Sequence, residues 1–321
     1  MDKVKNKAEA AGWTVDVLAF THVQAANVDG QTILHHLHAN AKTKKHFILV
    51  DESSMVPLRL WAALASFKFT GARFVVLGDV DGQLPPITDR HREALWATVD
   101  RSRFMHELCG GLRVELHKFR RGGDRAHFDL VGSIYPSTGT TLAEALEKVR
   151  GAYPVRGPLE QCDTVLCLSN NCRTVLNERL NSFHAKEDAV MVKCEKGESD
   201  SKSHSELHLK LWPGILLQST VTDRKHLRNA LRYKVVDVTE EACSLVRVND
   251  EGEVVGEQFT MQTQEITQKL RLTYAITYDS SQARTLYGQV RLVQTDHRHM
   301  TLRRLIVGLG RVPDGSRLEV E

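Results

Sequence analysis

The sequence predicts an α/β protein built from two parallel-sheet domains, with a small antiparallel β insert in the second. Short apolar runs alternate with helical patterns in the first third of the chain, as in strands joined by helical crossovers. The alternation begins again at 164–168, after a stretch rich in Pro, Gly, Ser and Thr. Between about 212 and 268 it gives way to short β-like runs. We therefore expect domains at 1–150 and 151–321.

Composition restricts the class of protein. With 321 residues, the chain is long enough for two separate cores. A net charge of +3 permits an anionic partner but does not require one. The sequence contains no apolar run long enough to span a membrane, and its first residues lack the apolar core of a signal peptide. Its six cysteines include no Cys-x₂-Cys pair. We expect reduced thiols in an intracellular protein, cytoplasmic or nuclear, that is not secreted and has no membrane partner.

In the first domain, a helical pattern over 1–12 ends at Gly12, a residue suited to a helix C-terminus. Apolar, β-branched runs predict four strands, and the segments between them predict helices ending near Ala26 and Phe67. The predicted strands are Val15–Phe20, Phe47–Val50, Arg73–Leu77 and Arg113–Leu116.

The second domain opens with a strand at Thr164–Leu168 and a helix that runs through Leu180. The β insert then contains three clear strands, the last two separated by the turn Asn249–Gly252. These strands are Tyr233–Val238, Ser244–Val248 and Glu253–Phe259. The α/β pattern then resumes with strands at Leu270–Ala275 and Val290–Gln294, a helix at Leu302–Leu309 and a strand near Leu318.

Two acidic residues, Asp51 and Glu52, directly follow the apolar run Phe47–Val50. Such a run predicts a strand buried on both faces, and open α/β sheets place their ligand sites where strands end. An acid pair there can hold Mg²⁺ and orient a water for attack on a phosphate. Taken alone, the pattern fits an acidic helix start capped by Ser53 or Ser54 equally well.

The segment Gly78–Pro86 follows the next predicted strand and contains Gln83 directly before Leu84, Pro85 and Pro86. A glutamine fixed by prolines at a sheet edge can detect a γ-phosphate. The alternative is an ordinary Gly/Pro loop with an unrelated glutamine. Because the Asp-Glu pair lies one strand earlier, we favour the functional interpretation.

The order of these motifs resembles that of superfamily 1 helicases, most closely the RecD-like and PIF-type DNA helicase branch. The resemblance covers nearly the whole chain and is carried by six segments. These are 18–33, 49–55, 78–86, 118–121 and 273–286, with 305–311 resembling the family's last arginine motif. The resemblance implies a P-loop NTPase fold with two RecA-like domains, the first of them truncated at its N-terminus.

The resemblance also implies a nucleotide site with ATP and Mg²⁺ as cofactors. Asp51 would bind the metal, Glu52 would orient the attacking water, and Gln83 would detect the γ-phosphate. Arg120, preferred to Arg121 in the alignment, and Arg311 would stabilise the transferred charge. The alternative for Arg311 is a solvated arginine at a helix end.

Nucleic-acid contacts are implied for six residues at motif positions: Thr21, His22, Thr277, Tyr278, Ser281 and Gln282. Tyr278 is expected to stack on a base. Three positions depart from the family pattern: Asp279 replaces His, Ser280 replaces Lys, and Ala283 replaces Gly. An acid in place of a base adds repulsion toward phosphate.

A second possible contact is the basic cluster in the β insert, for which a solvated charged face is the favoured interpretation. The cluster comprises Arg224, Lys225, His226, Arg228 and Arg232.

No Walker A motif, Gly-x-x-x-x-Gly-Lys-Ser/Thr, occurs in the 321 residues. In the family, that loop precedes the helix predicted at 1–12. We therefore expect the chain to be either a fragment of a longer reading frame or a decayed copy, with weak ATP binding and negligible turnover of its own.

The leading hypothesis is an ATP-dependent DNA helicase that couples ATP hydrolysis between its two domains to translocation on single-stranded DNA and duplex unwinding, acting as a monomer. Two rivals remain. One is a catalytically inactive nucleic-acid-binding relic of a helicase. The other is an RNA helicase of viral type, because a preference for the 2′-hydroxyl cannot be read from these motifs.

Overall fold

The computed structural model describes residues 2–39, 46–86, 99–116, 123–193, 208–223 and 225–321. The chain forms two compact units. The first comprises Met1–Arg120 with Tyr135–Ser137, and the second comprises Arg121–Ile134 with Thr138–Glu321. The division therefore falls earlier than the expected boundary at residue 150.

The first unit contains a four-stranded parallel sheet in the order β2-β1-β3-β4. Its strands are β1 (Val15–Ala19), β2 (Gln31–Thr32), β3 (Phe47–Val50) and β4 (Arg73–Val76). Its described helices are α1 (Asp2–Ala10), α2 (His22–Asn27), α3 (Ile33–Ala39), α4 (Leu58–Ala65) and α5 (Arg103–Leu108). Three of the four predicted strands and all three predicted helices are thus confirmed.

Burial explains why β3 lies in the middle of this sheet. Ile48, Leu49 and Val50 are each 0% exposed, as expected for a strand covered on both faces. Trp61 and Leu64 from α4 pack in the same core cluster as Ile48 and Val50. Burying one such side chain contributes about 1.5–3 kcal/mol. The resulting core fixes the carboxyl end of β3, where Asp51 and Glu52 begin.

The strand predicted at Arg113–Leu116 is wrong. In this segment Val114 and Leu116 are 82% and 86% exposed, and the backbone has no regular secondary structure. Alternating apolar residues form a strand only where a neighbouring strand accepts their backbone hydrogen bonds. No strand among the described residues pairs with this one.

The second unit contains a parallel sheet in the order β13-β5-β14-β15. These strands are β5 (Thr164–Cys167), β13 (Ala275–Thr277), β14 (Val290–Leu292) and β15 (Leu318–Val320). Its α-helices are α6 (Arg125–Ser133), α7 (Leu142–Ala152), α8 (Asn170–His184), α9 (Thr263–Lys269), α10 (Tyr278–Ser281) and α11 (Leu302–Leu309). The predicted return to an α/β pattern after the insert is confirmed. The single strand predicted at Leu270–Ala275 is wrong, because Leu270–Leu272 pairs antiparallel within the insert and Ala275 begins β13.

The predicted β insert is also confirmed, as a five-stranded antiparallel sheet in the order β11-β10-β9-β8-β12. Its strands are β8 (Leu216–Ser219), β9 (Arg232–Val238), β10 (Ala242–Val248), β11 (Val254–Gln262) and β12 (Leu270–Leu272). A separate hairpin pairs β6 (Val190–Lys193) with β7 (His208–Leu211). The turn at Asn249–Gly252 joins β10 to β11, with Gly252 at a φ of +86°.

Within the described ranges, no helix has the length and apolar composition needed to cross a membrane. The five cysteines in these ranges are all free thiols.

Candidate functional site

The acid pair lies at the carboxyl edge of the first unit's sheet, held by both neighbouring strands. The backbone N–H of Asp51 donates to the carbonyl of Leu18 at 2.9 Å, and that of Ser53 donates to Leu77 at 2.9 Å. Between them, Glu52 has a φ of +47°, in the left-handed region that non-glycine residues rarely occupy. Strain of this kind persists where the surrounding structure enforces it, and it is common at functional sites.

Asp51 and Glu52 are both half-buried. Burial raises the pKa of Asp51 above its ordinary value, and a hydrogen bond from the backbone of Glu52 partly opposes this. The described residues contain no cluster of three or more His, Cys, Asp or Glu side chains that would form a complete metal cage. One or two carboxylates are nevertheless what proteins usually offer Mg²⁺ that is shared with phosphates. The arrangement therefore fits a Mg²⁺ that the substrate helps to hold.

The Gln83 loop is joined directly to the acid-pair segment. The hydroxyl of Ser54 donates a hydrogen bond to the side-chain oxygen of Gln83. Ser54 is 1% exposed, whereas Gln83 is half-buried. The glutamine is thus fixed beside the turn that carries the two carboxylates, as expected if the two motifs form one site.

Asp79 organises this loop from inside. One of its carboxylate oxygens accepts the backbone N–H of Asp81 at 3.2 Å and of Gly82 at 2.8 Å. The other accepts the hydroxyl of Tyr135 at 2.8 Å. A Cβ on Gly82 would lie 2.6 Å from both Asp79 and Tyr135, so this position accepts only glycine without rearrangement. Asp79 consequently shapes the loop that presents Gln83.

The segment after β1 is connected to the same edge. Thr21 caps α2 with a reciprocal pair of hydrogen bonds to Gln24. The side-chain amide of Gln24 also donates to the sulfur of Met55 at 2.8 Å. Thr21 and His22, both predicted to contact nucleic acid, are half-buried at this edge. The ends of β1, β3 and β4 are therefore connected through side chains.

Ser54, Gln24, Asp79 and Tyr135 were not identified from the sequence. The Thr21-x-x-Gln24 spacing is a readable signal for a helix-capping pair. The contacts of Ser54 with Gln83, of Gln24 with Met55 and of Tyr135 with Asp79 join residues far apart in the chain, so local spacing carries no signal for them.

In the second unit, Thr277 lies at the carboxyl end of β13 and caps the short helix α10. Its hydroxyl and that of Ser280 are 2.7 Å apart, and each accepts the other residue's backbone N–H, at 3.2 and 3.1 Å. Ser280, which replaces the family's lysine, thus has a capping function here. Thr277 is half-buried and lies at the surface edge of the motif.

Stacking of Tyr278 on a base, predicted from the sequence, is wrong for this structure. Tyr278 is 0% exposed, and its hydroxyl donates to the carbonyl of Val293 at 3.0 Å. A Cβ on Gly308 would lie 2.9 Å from its ring, which shows how closely α11 covers it. Ser281 is likewise 0% exposed and donates to the carbonyl of Tyr278, and Gln282 is 5% exposed. None of these three side chains is exposed where a DNA strand at the protein surface could contact it.

The other two departures from the family pattern have clear structural consequences. Asp279 forms an ion pair with Arg304 of α11, at 3.2 Å. Ala283 has a φ of +67°, in the left-handed region where glycine is favoured. The backbone therefore keeps the conformation that glycine would favour, although the residue has changed to alanine.

A buried charge cluster joins the β insert to this motif. Arg284 is 2% exposed and donates to Asp250 of the β10–β11 turn at 3.3 Å. The same carboxylate accepts the backbone N–H of Thr285 at 2.9 Å. Burial, together with the nearby Arg232, lowers the pKa of Arg284 to about 9, although Asp250 opposes the shift. Asp250 thus anchors the insert to the end of the motif.

The predicted arginine finger, Arg311, is 6% exposed at the end of α11. Its guanidinium donates to the carbonyl of Val307 at 2.9 Å and to that of Arg284 at 3.3 Å. In this conformation it ties α11 to the motif, so the solvated-arginine alternative is wrong, while the finger function stays a prediction. Arg120 lies outside the described residues.

Comparisons with known proteins agree with this architecture. Residues 1–107 match a family model described as an AAA domain. No curated protein matches the sequence.

Solved structures of Pif1 helicases match nearly the whole chain. The Bacteroides Pif1 complex with ADP-AlF3 and single-stranded DNA is 18% identical, with a TM-score of 0.65 over 96% of this chain and 82% of that one. Pif1 from Candida albicans is 17% identical, with a TM-score of 0.66 over 99% and 86%. A Pif1 structure described as two coordinating helicases at forked double-stranded DNA is 20% identical, with a TM-score of 0.68 over 98% and 83%.

The fold is therefore of the α/β class, with parallel-sheet units. Within that class, it is the fold of the Pif1 helicases. The predicted fold class is confirmed, while truncation of the first domain stays a prediction.

Proposed function

We propose that the protein is an ATP-dependent DNA helicase of superfamily 1 that acts on single-stranded DNA inside the cell. The observation that carries the proposal is the connected edge of the first unit, where Ser54 joins the Asp51-Glu52 turn to Gln83. A fold shared with Pif1 helicases, one of them bound to ADP-AlF3 and single-stranded DNA, supports it. Fold alone does not define function, so the residues at this edge carry the argument.

At this edge, the carboxylate of Asp51 would hold Mg²⁺, and Glu52 would accept a hydrogen bond from the attacking water. When bound, Mg²⁺ neutralises charge on the phosphate oxygens. The side-chain oxygen of Gln83 already accepts from Ser54, so its amide N–H groups are the donors that a γ-phosphate oxygen needs. The left-handed backbone of Glu52 sets the direction of its carboxylate.

Single-stranded DNA would meet the hydroxyls and the imidazole at two sheet edges. Thr21 and His22 lie at the end of β1, and Thr277 lies at the end of β13. These three side chains are half-buried and can reach a phosphate, whereas Tyr278 and Ser281 are fully buried. We accordingly propose contacts by Thr21, His22 and Thr277 only, with Gln282 acting through the shape of the motif.

The experiment uses the product of the gene's whole reading frame and a fluorescently labelled forked DNA duplex. Strand separation is expected with ATP and Mg²⁺, and not with a non-hydrolysable ATP analogue. A matched RNA competitor strand separates a DNA from an RNA helicase, because only the latter recognises the 2′-hydroxyl. Strand separation that is independent of ATP would contradict the proposal.

A second candidate is a nucleic-acid-binding protein that keeps the fold and lacks the motor. The departures at Asp279, Ser280 and Ala283 favour it, because Ser280 caps a helix at the position where the family has a lysine. It predicts salt-dependent binding to single-stranded DNA that ATP does not change. A Walker A loop upstream in the same reading frame, together with ATP-dependent strand separation, would exclude it.

A further inference from the structure

The loop between β8 and β9 is rigidly built around one carboxylate. Asp223 Oδ1 accepts the backbone N–H groups of three successive residues, Lys225 at 2.9 Å, His226 at 2.7 Å and Leu227 at 2.9 Å. This is an Asx-type arrangement, which fixes the backbone without using the side chains of the residues it holds. Lys225 and His226 are therefore held in place while their side chains remain exposed.

The base of the same loop is anchored in the core of the insert. Tyr233 is 0% exposed, and its hydroxyl donates to the carbonyl of His226 at 2.9 Å. The same hydroxyl accepts the backbone N–H of Arg228 at 2.9 Å. The position of His226 is thus fixed from both sides, by Asp223 and by Tyr233.

The imidazole of His226 lies flat on an aromatic ring from another strand. Its centroid is 4.6 Å from that of Phe259 on β11, and the two ring planes differ by 6°. Phe259 is in turn supported by Tyr233, whose ring meets it edge-on at 5.8 Å. His226 is exposed, whereas Phe259 is half-buried. The result is a cluster of three rings in which His226 is outermost and stacks on Phe259.

Two arginines of the basic cluster, Arg228 and Arg232, direct their charges to other parts of the insert. Arg228 turns its guanidinium back onto the loop, donating to the carbonyls of Asp223 at 2.8 Å and Leu227 at 3.1 Å. Arg232 is 8% exposed and lies 3.9 Å from Asp250, so it belongs to the buried charge cluster. Lys225, which directly precedes His226 in the chain, is exposed, while Arg224 lies outside the described residues.

We infer that His226, backed by Phe259, is a stacking platform for an unpaired nucleobase of single-stranded DNA, with Lys225 placed to meet a neighbouring phosphate. The inference rests on the proposed function and adds a base-binding site on the β insert. Bases stack on aromatic rings without regard to sequence, and a ring held in position loses little freedom when a base binds. Attraction to phosphate alone would not require the imidazole of His226 to be stacked on the ring of Phe259.

The test compares a normal strand with a backbone that lacks bases. The 321-residue chain is titrated into fluorescein-labelled oligothymidylate of about 20 nucleotides, longer than a typical single-strand site, and into an abasic strand of equal length. His226→Ala should weaken binding of oligothymidylate about fivefold or more, in line with the loss of one stacked base, and leave abasic binding unchanged. His226→Tyr, which keeps a flat ring, should restore the preference for bases.

His184 provides a matched control, because it is also exposed and stacks on an aromatic ring, that of Tyr274 at 5.3 Å. His184→Ala should leave both affinities unchanged. Thermal unfolding confirms that each variant is folded. Equal weakening of both strands by His226→Ala would overturn the platform and leave the proposed function standing. If the wild-type chain binds neither strand, the proposed function itself fails.

Discussion

Ser54 donates its hydroxyl hydrogen bond to the side-chain oxygen of Gln83, a residue 29 positions further along the chain. This bond joins the turn after β3 to the loop after β4. The turn carries the carboxylates proposed to hold Mg²⁺ and orient water, and the loop carries the glutamine proposed to detect the γ-phosphate. The bond orients the amide of Gln83 while leaving the carboxylates of Asp51 and Glu52 at the sheet edge. The proposed ATP hydrolysis depends on these two motifs acting as one site.

Removing the Ser54 hydroxyl should therefore impair catalysis more than folding. In the product of the gene's whole reading frame, Ser54→Ala is expected to lower single-strand-stimulated ATP turnover on the order of 10- to 100-fold, because Gln83 loses its fixed position. The loss of one buried hydrogen bond should cost about 1 kcal/mol of stability. Ser66→Ala, which removes a hydroxyl bonded to Ala63 in the same unit, is the control. Unchanged turnover in Ser54→Ala would show that the link has no catalytic function.

Asp51 should make stability depend on pH in a defined direction. Burial raises its pKa above the ordinary value of 3.8, so the folded state favours the protonated form and ionisation costs stability as pH rises through the folded pKa. Asp51→Asn should therefore be more stable than the wild type at neutral pH. This advantage should vanish below pH 3.8, where the carboxyl is protonated in both states.

Urea unfolding across this pH range measures the difference. Millimolar Mg²⁺ with ATP should raise the unfolding temperature of the wild type and have no effect on Asp51→Asn, because a ligand stabilises only the state that binds it. A variant that is less stable than the wild type at neutral pH would contradict this interpretation of Asp51.

The left-handed backbone at Ala283 predicts a stabilising substitution. Ala283→Gly should raise the free energy of unfolding by about 0.5–1 kcal/mol, because alanine is strained at a φ of +67° and glycine is not. Ala152→Gly, at the exposed last residue of α7, should lower it instead, because alanine favours the helical backbone there. If both substitutions destabilise the protein equally, the conformation at Ala283 is not as described.

The Asp250–Arg284 pair predicts strong coupling between the insert and the motif. Asp250→Asn should destabilise the second unit by about 3–5 kcal/mol, because it leaves the buried Arg284 without its carboxylate. The double variant with Arg284→Met should recover part of this loss, since Arg232 is then the buried charge that remains in the cluster. Chemical denaturation of the four proteins in the cycle measures the coupling. Additive effects would mean that the pair does not interact.

Much of the fold could be predicted from the sequence, because strands buried on both faces are short apolar runs. Phe47–Val50 is such a run, and the turn at Asn249–Gly252 marks the insert equally clearly. Arg113–Leu116 shows the limit of this reasoning. Its alternation is typical of a strand, yet these residues form none, because pairing depends on a partner that local pattern does not specify.

The candidate site could be predicted only in part, for a related physical reason. Motif order identified Asp51, Glu52 and Gln83, but the contact from Ser54 depends on how two loops fold together. Tyr278 illustrates the converse, because an aromatic residue in a binding motif can equally well fill the core. Asp250 and Arg284 are 34 positions apart, and no local spacing links them.

The most direct test of the central claim is ATP hydrolysis stimulated by single-stranded DNA, measured on the product of the gene's whole reading frame. Wild type, Glu52→Gln and Glu9→Gln are compared, the last being an exposed position in the same unit. The account predicts stimulated hydrolysis in the wild type and in Glu9→Gln, and its loss in Glu52→Gln while single-strand binding is kept. Stimulated hydrolysis that survives Glu52→Gln would contradict the assignment.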